Sequence, residues 1–280
     1  MKIYISLDME GIAGSFDWEQ ETKSKADVKN CIYEQMEWVL QGIVESSINK
    51  KISEIVIADS HAMGDNLSYD FTSLDDRIYI ISGYPRHQYM MPGFNNTYDI
   101  VFFIGYHAGV GALNGAMDHT YSSRRVHKIW INDKAMNESF INAAYAGYYS
   151  VPVGLIVGDE TLHSELNTDD GMPWVEYVST KEALGKFSAK LKPKNIVKNE
   201  TIHAVKRCLN QDIEKIPIYT FQYPVTLKIE FATTAMADVA SLMPYTNRID
   251  GRTIEFIHMD YKTIFDALMA LVTLASSVNA

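Results

Sequence analysis

Cysteine is scarce in this chain, which has two cysteines among its 280 residues. Small secreted domains that cannot build a large core depend on several disulfides, and two cysteines do not supply such a framework. Cys31 and Cys208 lie on predicted helix faces, so we expect buried thiols rather than a cross-link. A chain of this length can bury enough apolar surface to be stable without covalent bridges.

Long apolar runs are also missing from the sequence. No stretch approaches the roughly 20 apolar residues that a membrane-spanning helix needs. Asp8 and Glu10 interrupt the first apolar segment too early for the basic-then-apolar pattern of a secretory signal peptide. We therefore expect a cytoplasmic protein that has no membrane as a partner.

Positive charge is in deficit as well. The chain has 25 Lys and Arg against 35 Asp and Glu, a formal net charge of −10, and it has no run rich in Lys or Arg. An acidic chain is repelled by the phosphate backbone of nucleic acids and by anionic lipid surfaces. We therefore expect no nucleic acid among its partners.

The chain does have a regular alternation of strand-like and helix-like segments. Residues 1–7 and 54–59 are β-branched apolar runs typical of buried strands, and residues 26–49 carry apolar side chains at helical spacing. A strand, a helix and a strand joined in this way form a βαβ unit with parallel strands. Further apolar runs predict strands at 78–81, 99–105, 126–132 and 151–157, and a helix at 138–148. The pattern predicts an α/β fold with a mostly parallel sheet and helices on both faces.

The character of the sequence changes beyond about residue 170. Residues 225–231 alternate between apolar and polar side chains, which is typical of a strand with one wet face. Another strand is expected at 253–258, and residues 261–275 form an amphipathic closing helix. The lysine-rich stretch 190–194 is interpreted as a connector. We predict a larger α/β domain over residues 1–175 and a smaller C-terminal α+β domain over 176–280 packed on it.

Acidic and imidazole side chains follow the predicted strands. Asp8 and Glu10 come directly after the first strand, on the same side, because alternate residues of an extended chain point the same way. His61 follows the second strand, His107 follows the fourth, and Glu138 begins a helix. Since the carboxyl ends of parallel strands lie along one edge of a sheet, we expect these side chains to meet there.

Carboxylates and imidazoles are the ligands of zinc and related divalent metals. The three carboxylates carry three negative charges, so one Zn²⁺ leaves the cluster negative, whereas two leave one positive charge that a bridging hydroxide would neutralise. Two such ions can share a carboxylate and together activate a water molecule for hydrolysis. These charges are consistent with a site for two divalent metal ions in the larger domain, which would be the catalytic one.

Each of these motifs has an ordinary structural explanation when it stands alone. An Asp-x-Glu after a strand is commonly a solvated acidic turn. His119 is either a loop residue or, if it faces the metals, a group for proton transfer near neutral pH. Asp59 either orients a metal ligand or caps the next turn, and Phe16 and Trp18 are expected to fill the core rather than line a pocket. The remaining histidines are expected at surface or satisfied core positions: His87, His127, His163, His203 and His258.

Several short motifs occur in one order along the chain: Asp8-Met9-Glu10-Gly11-Ile12, Asp59-Ser60-His61, Gly105-Tyr106-His107-Ala108, Gly115-Ala116-Met117-Asp118-His119, Ile131-Asn132-Asp133 with Glu138, and Ala146-Gly147-Tyr148-Tyr149 through Gly158-Asp159. Together they resemble the zinc-dependent D-aminopeptidase family of the bacterial dipeptide-transport operon. The resemblance is dense over residues 1–160 and thin afterwards, where mainly 229–232 and 242–244 match.

The resemblance implies a site for two zinc ions per chain with His119 as the catalytic residue beside it. The implied ligands are Asp8 as the bridge, Glu10, His61, His107 and Glu138. The family members release an N-terminal D-amino acid from short peptides, and they assemble as decamers of two stacked five-membered rings, so a homo-oligomer is expected. The segment 118–121 departs from the family pattern, which concerns substrate preference more than chemistry.

We therefore predict a metal-dependent aminopeptidase that acts on short peptides through a water activated by two zinc ions. In this hypothesis His119 moves a proton as the tetrahedral intermediate forms or collapses. Two alternatives stay open: a metal-dependent hydrolase of another amide or of a phosphoester bond, and a non-catalytic peptide-binding protein that serves a transporter.

Overall fold

The computed structural model describes residues 1–278 of the chain, and its strands form two sheets and a hairpin. The strands are β1 (Lys2–Leu7), β2 (Glu54–Asp59), β3 (Ile78–Ile81), β4 (Ile100–Tyr106), β5 (Val126–Ile131), β6 (Lys134–Ala135), β7 (Val153–Gly158), β8 (Glu176–Ser179), β9 (Lys181–Gly185), β10 (Ser188–Leu191), β11 (Val225–Phe231), β12 (Asn247–Arg248) and β13 (Thr253–His258). The helices are α1 (Gln20–Lys23), α2 (Lys25–Val44), α3 (Glu138–Tyr148), α4 (Glu160–Leu166), α5 (Lys194–Asn210), α6 (Thr234–Ala240) and α7 (Tyr261–Ser276).

The central sheet has 6 strands in the order β3-β2-β1-β4-β7-β8, and every neighbouring pair is parallel. The chain builds outward from β1 in one direction through β2 and β3, and then in the other direction through β4, β7 and β8. The strand order therefore reverses between β1 and β4. In open parallel sheets a crevice for ligands forms at this reversal, outside the carboxyl ends of the strands.

Helices cover both faces of the central sheet. Successive side chains of a strand point to opposite faces, so Ile3 and Ile5 belong to a core shared with α2 and α5, whereas Tyr4 belongs to a second core. That second core includes α3, α7 and the antiparallel sheet of order β12-β13-β11-β5-β6. The predicted α/β fold, with a mostly parallel sheet and helices on both faces, is confirmed.

Residues after 175 contribute strands to both the parallel and the antiparallel sheet. β8 extends the parallel sheet by pairing with β7, α5 packs on α2, and β11 pairs with β5 in the antiparallel sheet. The interpretation of 190–194 as a connector is wrong in part, because β10 pairs with β9 in a hairpin that ends at Leu191. The division into domains of 1–175 and 176–280 stays a prediction.

Among residues 1–278, no helix has both the length and the apolar character that a membrane span requires.

Two glycines allow the turn after β1 to lie against the end of β4. The backbone N–H of Gly11 donates to the carbonyl of Gly105 at 2.7 Å. A Cβ on Gly105, whose φ is +81°, would lie 2.1 Å from the carbonyl oxygen of Asp8, and a Cβ on Gly11 would lie 1.9 Å from that of Tyr106. These distances are far below any real carbon–oxygen contact. Glycine at both positions is therefore what allows Asp8 to approach His107.

Replacing Gly105 with alanine tests this close approach. We expect Gly105→Ala to lower the free energy of unfolding by about 3 kcal/mol, the sum of a left-handed backbone and an overpacked contact. Gly111→Ala is the matched control, because Gly111 also has a φ of +81° but a Cβ there would meet no heavy atom within 4 Å. The control should lose only about 1 kcal/mol. Urea denaturation measures both values, and equal losses would contradict a role for the contact with Asp8.

Candidate metal centre

The six predicted site residues lie together at the carboxyl edge of the parallel sheet, beside the reversal in strand order. Each comes from a segment that leaves a strand or begins a helix: Asp8 and Glu10 after β1, His61 after β2, His107 after β4, His119 in the β4–β5 loop and Glu138 at the start of α3. The carboxylates are buried with them, since Asp8, Glu10 and Glu138 are 3%, 1% and 2% exposed. The structure thus brings together every residue that the sequence pattern selected.

Glu138 owes its position to the way α3 begins. The side chain of Asn137 accepts a hydrogen bond from the backbone N–H of Phe140 at 2.9 Å and so caps the N-terminus of the helix. Glu138 therefore stands in the first turn, where the helix dipole favours a negative charge. One of its carboxylate oxygens also accepts the backbone N–H of Tyr121.

Asp8, Glu10 and His61 form a first cluster. Nδ1 of His61 lies 3.1 Å from Oδ1 of Asp8 and 3.2 Å from Oε2 of Glu10. One potential ligand atom from each of the three residues lies within 4.8 Å of the other two. An ion placed among them would contact two carboxylates and one imidazole, and both kinds of group bind zinc.

His107, His119 and Glu138 form a second cluster. Nε2 of His107 lies 3.7 Å from Oε2 of Glu138, and Nε2 of His119 lies 3.8 Å from Oε1 of Glu138. The two imidazole rings are stacked, with their centroids 4.3 Å apart. Potential ligand atoms of the three residues again lie within 4.8 Å of one another.

Asp8 connects the two clusters. Its Oδ1 faces His61 of the first cluster at 3.1 Å, and its Oδ2 faces Nε2 of His107 in the second cluster at 3.6 Å. A carboxylate that presents its two oxygens to two separate ligand sets has the geometry of a bridge between two ions.

Buried nitrogen and oxygen atoms that have no hydrogen-bond partner fit a divalent cation at this site. Nδ1 of His107 donates to the carbonyl of Ala108 at 2.9 Å, and Nδ1 of His119 donates to that of Met117 at 3.1 Å. These bonds turn Nε2 of each neutral ring into the site, as in many metal-binding histidines. Within residues 1–278, Nε2 of His107 and Oε2 of Glu10 are buried atoms that make no hydrogen bond. Such atoms are costly unless something satisfies them.

Without cations, the buried carboxylates of the site repel one another. Burial, followed by repulsion from Glu10, raises the pKa of Asp8 to about 7. Burial lowers the pKa of His107, but the carboxylates of Glu138, Glu10 and Asp8 together more than offset it, and the pKa rises to about 10. The pKa of His61 is raised well above its ordinary value, because Glu10 and Asp8 together outweigh burial. In the metal-free protein, protons therefore supply the positive charge that the carboxylates require.

His119 is the neutral member of the group. Burial, together with the neighbouring positive charge of His107, lowers the pKa of His119 below its ordinary value. An uncharged imidazole near neutral pH can accept a proton at Nε2 and return it later. The structure thus supports the second of the two interpretations of His119, a residue that faces the site rather than only a loop residue.

A cavity of about 550 Å³ opens over the two clusters. This volume lies within the range of small-ligand sites, roughly 300–1,000 Å³. Acidic groups line its floor, and two cationic side chains, Arg124 and Lys186, line its wall. Within the described part of the chain, none of the other five histidines lines this cavity, which agrees with the expectation that they lie elsewhere.

Trp18 was missed as a functional residue. It packs against the core as predicted, but it also lines the cavity, and its indole N–H donates to Oε1 of Glu10 at 2.6 Å. Its ring meets the His119 ring edge-on at 5.4 Å. The prediction that Phe16 fills the core is wrong, since Phe16 is 38% exposed. Both residues lie in an irregular loop, where no periodic pattern separates a core side chain from a cavity side chain.

Two further cavity residues carried no sequence signal. Oε1 of Glu21 lies 3.3 Å from Nε2 of His61, on the side of the ring away from the first cluster. Lys186, near the tip of the β9–β10 hairpin, donates to the carbonyl of Asp118 at 2.7 Å. Asp59, by contrast, caps the turn that follows β2 by accepting the backbone N–H of residues 66 and 67, so the capping interpretation is the correct one.

The family model described as D-aminopeptidase matches residues 1–270 of the chain. A D-aminopeptidase of Bacillus subtilis (strain 168) is 30% identical over 284 residues, which are 98% of each protein. A solved structure of a Zn-dependent D-aminopeptidase from Bacillus subtilis, described as a self-compartmentalizing protease, matches with a TM-score of 0.89 at 27% identity, over 100% of both chains. With a family match over nearly the whole chain and a relative of this identity, the chain belongs to the D-aminopeptidase family.

Proposed function

We propose that this protein is a metal-dependent aminopeptidase that releases an N-terminal D-amino acid from short peptides. The observation that carries the proposal is the pair of ligand clusters that share Asp8 beneath a cavity of about 550 Å³. Membership of the D-aminopeptidase family supports the choice of bond and the D configuration. Residue chemistry alone supports hydrolysis but carries no information on stereochemistry.

The first zinc ion would be held by Asp8, Glu10 and His61, and the second by Asp8, His107 and Glu138. The contacts within the two clusters support this assignment, as do the buried Oε2 of Glu10 and Nε2 of His107, which have no hydrogen-bond partner. When bound, the two ions would supply an activated water molecule and polarise the scissile carbonyl.

His119 would move the proton. Its Nδ1 is engaged by the carbonyl of Met117, so Nε2 is the atom that can accept a proton and then donate it to the departing amine. The edge of Trp18 limits the motion of the ring, which keeps Nε2 directed at the cavity. Its lowered pKa supports the role of base, because the ring is uncharged when the reaction begins.

The charges of the cavity suit a short peptide. A free peptide carries an ammonium group at one end and a carboxylate at the other. The floor of the cavity is acidic, whereas Arg124 and Lys186 on the wall are cationic. Lys186 is already paired with Asp118 at 3.3 Å, and within residues 1–278 no carboxylate forms an ion pair with Arg124. Arg124 therefore has its charge available for a substrate carboxylate.

Assembly into a homo-oligomer, and into a decamer in particular, belongs to the same proposal. The solved relative is described as self-compartmentalizing. Large apolar side chains on the surface, such as Tyr245 at 94% and Leu242 at 74% exposure, support subunit contacts in this chain. Location in the cytoplasm stays a prediction.

The purified protein should hydrolyse D-Ala-D-Ala faster than L-Ala-L-Ala, lose activity with a chelator, and regain it with Zn²⁺.

His107→Ala should lower the zinc content from about two to about one per chain, because the second cluster loses a ligand. His163→Ala, a histidine outside the cavity, serves as the control and should keep both ions. Metal analysis and dipeptide assays measure these outcomes. Two tightly bound ions in His107→Ala would refute the assignment, and metal-independent turnover would refute the mechanism.

Replacing His119 with glutamine separates proton transfer from metal binding. His119→Gln should reduce kcat by about 10²–10⁴-fold, the usual contribution of a general acid–base group. Its zinc content should match that of the unchanged protein, because our assignment makes His119 a proton carrier rather than a ligand. Loss of one zinc ion in this variant would show instead that His119 completes the second ligand set.

Zinc binding should strengthen as pH rises. In the metal-free protein the pKa of His107 is about 10, so this ring is protonated at pH 7 and must lose its proton before Nε2 can bind a metal. The logarithm of the zinc association constant should therefore rise by at least about one per pH unit between pH 6 and 9. Competition with a chelator of known pH dependence measures the slope. An affinity that does not change over this range would contradict the protonated metal-free state.

A further inference from the structure

Lys181 is a fully buried lysine that lies outside the catalytic cavity and has no part in the chemistry proposed above. It is 0% exposed and begins β9, far along the chain from the metal centre. Its Nζ donates to the carbonyl of Glu10, to the carbonyl of Ser15 at 2.6 Å and to Oγ of Ser15 at 2.8 Å. Nζ of Lys181 thus contacts three oxygen atoms of the turn that follows β1.

The turn of residues 9–15 folds with its carbonyl groups pointing inward. Oγ of Ser15 lies 2.9 Å from the carbonyl oxygen of Met9, 3.0 Å from that of Glu10 and 2.9 Å from that of Ile12. The hydroxyl of Thr180 donates to the carbonyl of Gly11 at 2.7 Å. Converging carbonyl oxygens carry partial negative charge, and they repel one another unless donors or a cation lie among them.

Ion pairing does not explain why a lysine is buried here. A buried charge is costly unless it is paired and fully hydrogen-bonded. Within residues 1–278, no carboxylate oxygen lies at ion-pair distance from the Lys181 ammonium, and its contacts are those with the turn. The Lys181 side chain therefore serves the backbone of the turn, because its Nζ donates to oxygen atoms there.

We propose that Lys181 is a positioning residue that holds the 9–15 turn in the shape that presents the Glu10 carboxylate to the first cluster. This inference rests on the proposed two-zinc function. Lys181 contacts the main chain of Glu10 directly, whereas Asp8 is held separately by a hydrogen bond from its N–H to the carbonyl of Ile104 at 2.8 Å. Lys181 should therefore control the metal affinity of the first cluster and leave that of the second cluster unchanged.

The second cluster depends on other supports. Oε2 of Glu165 accepts the N–H of Gly109 at 3.1 Å and the side-chain amide of Asn137 at 2.7 Å. These bonds join the segment after His107 to the start of the helix that carries Glu138. Neither contact involves the 9–15 turn, which meets the end of β4 before His107, at Gly105. The supports after His107 are the structural reason to expect a selective effect.

The test is metal binding to a variant without the ammonium. Lys181→Met keeps most of the side-chain length but removes the charge and the donors. Cobalt(II), whose absorption reports on its ligands, and zinc(II) would be titrated separately into the metal-free full-length protein. We expect one of the two sites to weaken by about 10–100-fold, the usual effect of losing a group that orients a ligand, and the other to keep its affinity and spectrum.

Two further variants keep the test decisive. Gln35→Met is the matched control, because Gln35 is also 0% exposed and its side-chain amide donates to Oγ1 of Thr201 at 3.0 Å, between α2 and α5, rather than to the turn. It should lose stability but bind both ions as the unchanged protein does. Ser15→Ala removes one acceptor of Lys181 with little change in volume, and should weaken the same single site if Lys181→Met does not fold.

A folded Lys181→Met protein with two unchanged affinities would overturn the inference. Equal weakening of both sites would also overturn it, because that result indicates a general structural role. If Lys181→Met does not fold, unchanged affinities in Ser15→Ala would overturn it in the same way. A wild-type protein that binds no metal would instead overturn the proposed function itself, so the two failures are distinguishable.

Discussion

Burial of three carboxylates in one small volume is the constraint on which the rest of this structure depends. Asp8, Glu10 and Glu138 are at most 3% exposed, so water screens their repulsion little. Histidine rings lie between them, and positive charge must enter the site as protons on those rings or as metal ions. A site with this need favours cations, and its geometry must be held against the repulsion among its own carboxylates.

Three features of the fold meet this constraint. The reversal of strand order between β1 and β4 leaves a crevice at the carboxyl edge of the sheet. Gly11 and Gly105 let the two strand ends touch, so Asp8 and His107 become neighbours. The N-terminus of α3 then adds Glu138 where the helix dipole favours its charge. Parallel-sheet topology, a close glycine contact and a capped helix together produce the paired clusters.

The β9–β10 hairpin, from the later part of the chain, contacts the site. Lys181 donates hydrogen bonds to the 9–15 turn, and Lys186 of the same hairpin lines the cavity beside the β4–β5 loop. The β9–β10 hairpin therefore connects the geometry of the metal centre with the wall of the cavity. Changes in this hairpin can alter metal affinity and substrate contact without touching a ligand.

Local periodicity in the sequence was enough to predict the α/β architecture and five candidate ligands, because strands, helices and their ends follow from it. Once parallel strands are predicted, residues at their carboxyl ends, such as His61 and His107, must lie at one edge of the sheet. Three further features could be seen only in the folded chain: the division of the candidate ligands into two clusters, the orientation of His119 towards the site, and the contacts of Trp18 and Lys181 with Glu10. These features depend on loop conformations without periodicity and on contacts across as many as 171 positions of the chain, which no local pattern encodes.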